Sequence, residues 1–243
     1  MKRTVFAILV FLSLQVNAAC IVVPHADTAR TVPSVRQVVV PAVLAGTGAA
    51  GLFGYWGTHV NLPVKDYMAD LRGVCYCRID DCFEYLPLAA SVLLGLCREY
   101  REGWEDRVLL ACTGAAMMGI AVNGLKYSVC EIRPDGSRRN SFPSGHTAST
   151  FLGAELIRME YGNWWGAAAY SVALATGFLR MYNERHWLND VLAGAGIGIL
   201  SAKAAYWLLP WERRHLGKVS FLPFFAPDAE GDTAAGLTLA YSF

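Results

Sequence analysis

The chain has 243 residues, of which 54% are hydrophobic and 17% charged, and its formal net charge is +1. A charged fraction below the usual ~25% and a near-neutral balance give no basis for bulk attraction to nucleic acid. The excess of Ala, Gly, Val and Leu points to packed apolar helices, in a membrane or in an unusually dry bundle.

Residues 1–19 read as a secretory signal. Lys2 and Arg3 form the positive region, Val5 to Leu14 the apolar run, and Val16-Asn17-Ala18 a small-residue cleavage site. The run is shorter than the ~20 residues of a comfortable span, and a short uncleaved anchor is the other reading. Cys20 follows Ala18-Ala19, which also suits lipoprotein processing, although Asn17 stands where such sites want an aliphatic residue.

Residues 20–36, with Pro24 and Pro33, are expected to be a linker, residues 37–210 a helical domain and residues 211–243 a tail. Within the domain, Val38 to Trp56 is apolar and Gly-rich. Val64, Tyr67, Met68 and Leu71 recur at helical spacing in a polar stretch. Tyr85 to Leu96 is short and apolar, and Val108 to Leu125 is long enough, at roughly 27 Å as a helix, to span a membrane. A helix from His146 to Arg158, an apolar run from Trp164 to Leu179 and another from Val191 to Leu209 complete a six-helix core. Ser201 and Lys203 alone interrupt the last run. In the tail, Leu237, Leu239, Tyr241 and Phe243 alternate as in a stray edge strand.

Of seven cysteines, Cys97 and Cys112 lie in apolar helical stretches and read as buried small hydrophobes. Cys75, Cys77 and Cys82 share a polar loop where export would permit a disulfide. Asp80-Asp81 reads as a solvated turn or helix start, and no acidic cluster suggests a metal site.

Three islands interrupt the apolar segments. The first is Lys126-x6-Arg133-Pro134. Its two cations are two helical turns apart, and Pro134 ends any helix there. Arg133 is thereby left at a mouth, where a planar guanidinium binds phosphate oxygens in pairs. The second is Pro143-Ser144-Gly145-His146. Ser144 is a natural N-cap, the helix start favours an anion, Gly145 clears space for it, and His146 is placed to donate a proton. The third is Arg180-x5-His186-x3-Asp190. If helical, His186 and Asp190 share a face. A carboxylate on one ring nitrogen then fixes the tautomer and frees the other as a nucleophile.

Each island alone has a bland reading: flanking cations, an ordinary capped helix, a surface pair. Their joint order and spacing resemble the type 2 phosphatidic acid phosphatase and vanadium haloperoxidase superfamily. Its signature is Lys-x6-Arg-Pro, Pro-Ser-Gly-His and Ser-Arg-x5-His-x3-Asp. Leu179 replaces the usual Ser, and only eight residues separate Pro134 from Pro143, which leaves a small lid.

The resemblance implies an all-α six-helix fold in a membrane. It implies a lipid phosphatase in which His186 attacks phosphorus, Asp190 orients it, and His146 protonates the leaving oxygen and later activates water. Lys126, Arg133 and Arg180 would hold the phosphoryl oxygens, assisted by the Ser144 hydroxyl and the Gly145 N–H. No metal or other cofactor is expected, and vanadate should inhibit as a phosphate mimic. Expected substrates are phosphatidic acid, phosphatidylglycerol phosphate, a polyprenyl diphosphate or a lipid A phosphate. No protein or nucleic-acid partner is expected. The expected location is a bacterial-type envelope, in the inner membrane with an outward-facing site, or as an exported peripheral form. A vanadate-dependent haloperoxidase and a non-catalytic lipid-phosphate-binding protein are the alternatives.

Overall fold

The computed structural model describes residues 33–96, 104–215, 218–227 and 233–242. The signal, most of the linker, Cys20 and Cys97 lie outside these residues. Eight helices are described: α1 Val35–Ala50, α2 Gly54–Arg72, α3 Asp80–Phe83, α4 Leu86–Leu93, α5 Trp104–Val129, α6 Gly145–Tyr161, α7 Asn163–Tyr182 and α8 Leu188–His215. The expected segment from Val38 to Trp56 is not one helix. The chain turns by 83° between α1 and α2, at Gly51, Leu52 and Phe53. α2 contains a π-helical stretch, Gly57–Asn61, before regular α-helix resumes.

The bundle is built around α6. Leu152 and Leu156 pack on Leu110 of α5 and on Ala202, Ala205 and Leu209 of α8. Phe151, Ala154 and Ile157 meet Ala169 and Ala173 of α7 and Ala195 and Ile199 of α8. α6 is therefore buried on nearly every side, which explains why its sequence carries no clear amphipathic stripe.

α8 approaches α6 more closely than a side chain permits. A Cβ on Gly194 would stand 2.5 Å from Ser144 O, and one on Gly198 2.3 Å from Ala148 O. Small residues at such crossings let backbones touch. Gly198→Ala should push α8 off α6, with an overpacking cost of about 1–3 kcal/mol. Thermal unfolding in detergent should show the loss.

Two helices are long and apolar enough to cross a membrane, Asp106–Val129 and Leu188–Arg214, and the bent pair α1–α2 passes the same test taken together. Only 22% of the apolar window of Asp106–Val129 is buried inside the protein. Ile120 on α5, Trp164 and Leu174 on α7, and Val39, Val40 and Val43 on α1 all face outward. An apolar exterior of this kind belongs to a membrane-embedded bundle.

Charge is nevertheless buried. Glu155 of α6 accepts from Lys203 Nζ at 2.5 Å, from Arg158 Nε and Nη2 at 2.7 Å each, and from Tyr170 Oη at 2.7 Å. Nearer the far end of α6, Glu160 pairs with Arg107 at 3.0 Å and with the Tyr206 hydroxyl.

The tail forms a hairpin. β1 Lys218–Pro227 pairs antiparallel with β2 Thr233–Ser242, in the register Lys218 with Ser242 and Pro227 with Thr233. The alternating stretch thus lies in a paired strand. Its partner escapes sequence reading because Pro223 and Pro227 interrupt it; both are tolerated because each strand is an edge. Phe243 lies outside the described residues.

Candidate active site

The three islands meet at one end of the bundle, where α5 and α7 end and α6 and α8 begin. In the first, the helix stops earlier than Pro134 requires. α5 ends at Val129, and Cys130 takes a left-handed φ of 52°. Lys126 is thus helical while Arg133 stands in the following loop, so the two do not share a helix face. Arg133 N–H donates to Arg138 O at 3.0 Å, and Gly136 N–H donates back to Arg133 O at 2.9 Å. Gly136 sits at φ 70°, a conformation that suits glycine. Lys126 Nζ donates to Asn140 O at 2.9 Å, which leaves other ammonium hydrogens for an anion.

In the second island Ser144 caps α6. Its Oγ accepts from Thr147 N–H at 3.4 Å and lies 2.9 Å from Thr147 Oγ1. Ser144 is fully buried, and its hydroxyl caps the helix. Gly145 and His146 occupy the first turn and keep partial exposure. The Ser144 N–H donates to Asp190 O at 3.0 Å, which ties this island to the third.

In the third island the His–Asp pair forms differently from a shared helix face. α8 begins at Leu188, so His186 precedes it. Asp190, in the first turn of α8, reaches back to accept the Trp187 N–H at 2.9 Å through Oδ2. A first-turn carboxylate returning to the backbone N–H before the helix has the logic of a capping box. The same Oδ2 accepts from Ser141 Oγ at 2.5 Å and lies 3.4 Å from His186 Nδ1. That orientation leaves His186 Nε2 as the nitrogen free to react. Both residues are buried, His186 at 3% exposure and Asp190 at 0%. Burial holds the His186 pKa below the ordinary imidazole value against the pull of Asp190, which favours the neutral ring.

The loops brace one another. Trp187 Nε1 donates to Ile132 O at 2.8 Å, Arg185 pairs with Asp135 at 3.1 Å, and Ser141 N–H donates to Glu131 O at 3.0 Å. α2 contributes a wall: Asn61 Nδ2 donates to Asn189 Oδ1 at 2.8 Å, and Lys65 lies over the Trp187 ring at 5.8 Å. A small cleft beside His186 is lined by Asn61, Val64, Lys65, Pro134 and Trp187, among others.

Arg180 is buried, and it is not free. Its Nη1 donates to Asp80 Oδ2 at 2.6 Å and to Asp81 Oδ1 at 3.2 Å. Asp80-Asp81 is the helix start that the sequence allowed, opening α3, but Asp80 is buried and not solvated. Asp80 is only 2% exposed and also accepts weakly from Asn183 Nδ2 at 3.4 Å. Two carboxylates lie close to His146 Nε2, Glu84 at 3.0 Å and Asp81 at 3.4 Å. Sequence reasoning also missed Glu131. Burial, reinforced by the charge of Asp190, raises its pKa to about 9, so it is a neutral acid at physiological pH and can donate to Asp190. Its position as the one carboxylate within the first island was the signal available.

The cysteines correct two further expectations. Cys75, Cys77 and Cys82 are thiols, not a disulfide, and Cys112 is exposed instead of buried. Among the described residues no group of three or more His, Cys, Asp or Glu side chains is arranged to hold a metal ion.

One end of the helical bundle thus gathers a buried His–Asp pair, a second histidine and three cations. Residues 107–214 match the family model of the PAP2 superfamily. It is similar to a curated relative, the lipid A 1-phosphatase of Porphyromonas gingivalis, at 40% identity over 158 residues. That match covers 61% of this chain and 36% of the relative, so the chain spans about a third of the relative's length. Among solved structures it resembles the first transmembrane PAP2 type phosphatidylglycerolphosphate phosphatase from Bacillus subtilis. The TM-score is 0.56 at 19% identity, over 75% of this chain and 98% of that one. Aquifex aeolicus LpxE aligns at TM-score 0.49 and 22% identity, over 63% of this chain and 98% of that one.

Proposed function

We propose that this protein hydrolyses a lipid phosphate through a phosphohistidine on His186, with a lipid A-type glycolipid phosphate as the favoured substrate class. The observation that carries the reading is the buried His186–Asp190 pair set among Lys126, Arg133 and Arg180, with His146 in the first turn of α6. Phosphoryl transfer asks a protein chiefly for positioning and charge stabilisation. Lys126 and Arg133 bring uncommitted donors to the phosphoryl oxygens. Arg180 adds its charge from a fixed position behind them.

In the first step His186 Nε2 bonds to phosphorus while the bond to the leaving oxygen breaks, and that oxygen takes a proton from His146. In the second, water attacks phosphorus as His146 takes its proton, the N–P bond breaks, and inorganic phosphate leaves. Three fixed cations supply charge that metal ions supply in other phosphatases, so turnover is expected to need no divalent ion. The substrate class draws on the 40% identity to a lipid A 1-phosphatase.

The test is phosphate release from a panel of lipid A, phosphatidic acid, phosphatidylglycerol phosphate and a polyprenyl diphosphate in detergent micelles. Activity that is highest on lipid A, survives EDTA and falls with orthovanadate is expected. Dependence on added Mg²⁺ would contradict the metal-free reading, and a preference for a glycerophospholipid would contradict the substrate class. The proposal places the site on the outer face of the inner membrane. Intact spheroplasts should then release phosphate from an added impermeant substrate.

A further inference from the structure

Glu84 stands at the corner between α3 and α4, and the structure gives it little freedom. α4 runs along α6 in the same direction through three successive contacts. Glu84 Oε2 lies 3.0 Å from His146 Nε2. Leu88 lies so near Gly153 that a Cβ there would stand 2.3 Å from Leu88 N. Tyr161 Oη donates to Ser91 O at 2.8 Å. On the other side of the corner Asp80 is anchored by Arg180 at 2.6 Å. Glu84 is thus held over the histidine that the phosphatase reading needs as its acid.

His146 needs such a partner. It is faced by Glu84, Asp81 and Asp80 from the α3–α4 corner, by Arg180 from α7 and by His186 from the loop before α8. Burial first, then the charges of Arg180 and His186, lower its pKa to about 4. An imidazole of that acidity is neutral at physiological pH, yet a leaving alkoxide must receive a proton. Glu84 is itself pushed upward, chiefly by burial, with Tyr85 and Arg180 opposing.

We propose that Glu84 is a positioning residue for the reaction: its carboxylate orients His146 and stabilises the imidazolium that delivers a proton to the leaving oxygen. This rests on the phosphatase reading above. The pair starts with one transferable proton, gives it to the leaving oxygen as the P–O bond breaks, and regains one from the attacking water as the N–P bond breaks. The sign of the pH effect follows. Loss of the carboxylate makes the imidazolium more acidic, so the proton-donating form disappears at a lower pH.

The experiment compares wild type, Glu84→Gln and Glu84→Asp on phosphatidic acid micelles and on para-nitrophenyl phosphate, whose leaving oxygen needs no proton. For Glu84→Gln, kcat/KM on the lipid should fall about 10²-fold, the scale of general-acid assistance. Its alkaline limb should move to lower pH, and kcat/KM on para-nitrophenyl phosphate, which reports only the steps up to the phosphohistidine, should fall far less. Glu84→Asp, which keeps the charge, should restore part of the limb. An equal loss on both substrates would reduce Glu84 to a structural role and overturn the proposal. So would an unchanged rate and pH profile. A wild-type protein that releases no phosphate from any lipid would instead overturn the phosphatase reading itself.

Discussion

His186→Ala is expected to lower phosphate release from a lipid phosphate by at least about 10³-fold, since a covalent route cannot proceed without its nucleophile. Binding of a phosphate mimic should change far less, because Lys126, Arg133 and Arg180 remain in place. Vanadate binding measured beside turnover separates these effects. Asp190→Asn should follow the same pattern with a smaller loss. Its Oδ2 takes the Ser141 hydroxyl and the Trp187 N–H as well as facing His186 Nδ1, so an amide there disturbs both the tautomer and the start of α8. A His186→Ala protein with wild-type turnover would remove this residue from the chemistry.

The largest effect on stability is expected at Glu155, away from the site. This carboxylate is 1% exposed and accepts from Lys203, Arg158 and Tyr170. Glu155→Ala leaves the buried Lys203 ammonium, 3% exposed, without the carboxylate it donates to. Breaking one side of a buried pair typically costs about 3–5 kcal/mol, because the remaining charge stays desolvated. The double change Glu155→Ala with Lys203→Met removes the stranded cation and should recover much of that loss. Thermal unfolding in detergent decides. If the single and double variants melt alike, the cost is one of packing and not of charge.

How much of this was legible in the sequence depends on how local each signal is. The three islands were legible because each is a short spacing, and the order Lys126, Arg133, His146, Arg180, His186, Asp190 survives folding. Ser144 as an N-cap was legible for the same reason. Lys203 in the apolar run was visible as an anomaly, since a cation inside such a segment requires a partner. That partner, Glu155, is 48 residues away and could not be read.

The same holds for the corner at Asp80, Asp81 and Glu84. Asp80 reaches Arg180 across 100 residues, and nothing in the local sequence distinguishes it from a solvated helix start. Backbone detail was hidden too. The stop of α5 at Val129 depends on the left-handed turn at Cys130, and the His186–Asp190 pair depends on a helix that starts between them. Both put the expected side chains together by a different local route. The bend between α1 and α2 was signalled by Gly51 and Gly54, but apolar composition on both sides concealed it.

The most direct measurement is to capture the enzyme in mid-reaction. Wild-type protein is mixed with a lipid phosphate carrying radiolabelled phosphorus, denatured at once in alkali, and digested for peptide mapping. The expected result is an alkali-stable, acid-labile label on the peptide containing His186, absent from His186→Ala. Steady phosphate release with no label on that peptide would contradict a phosphohistidine at His186.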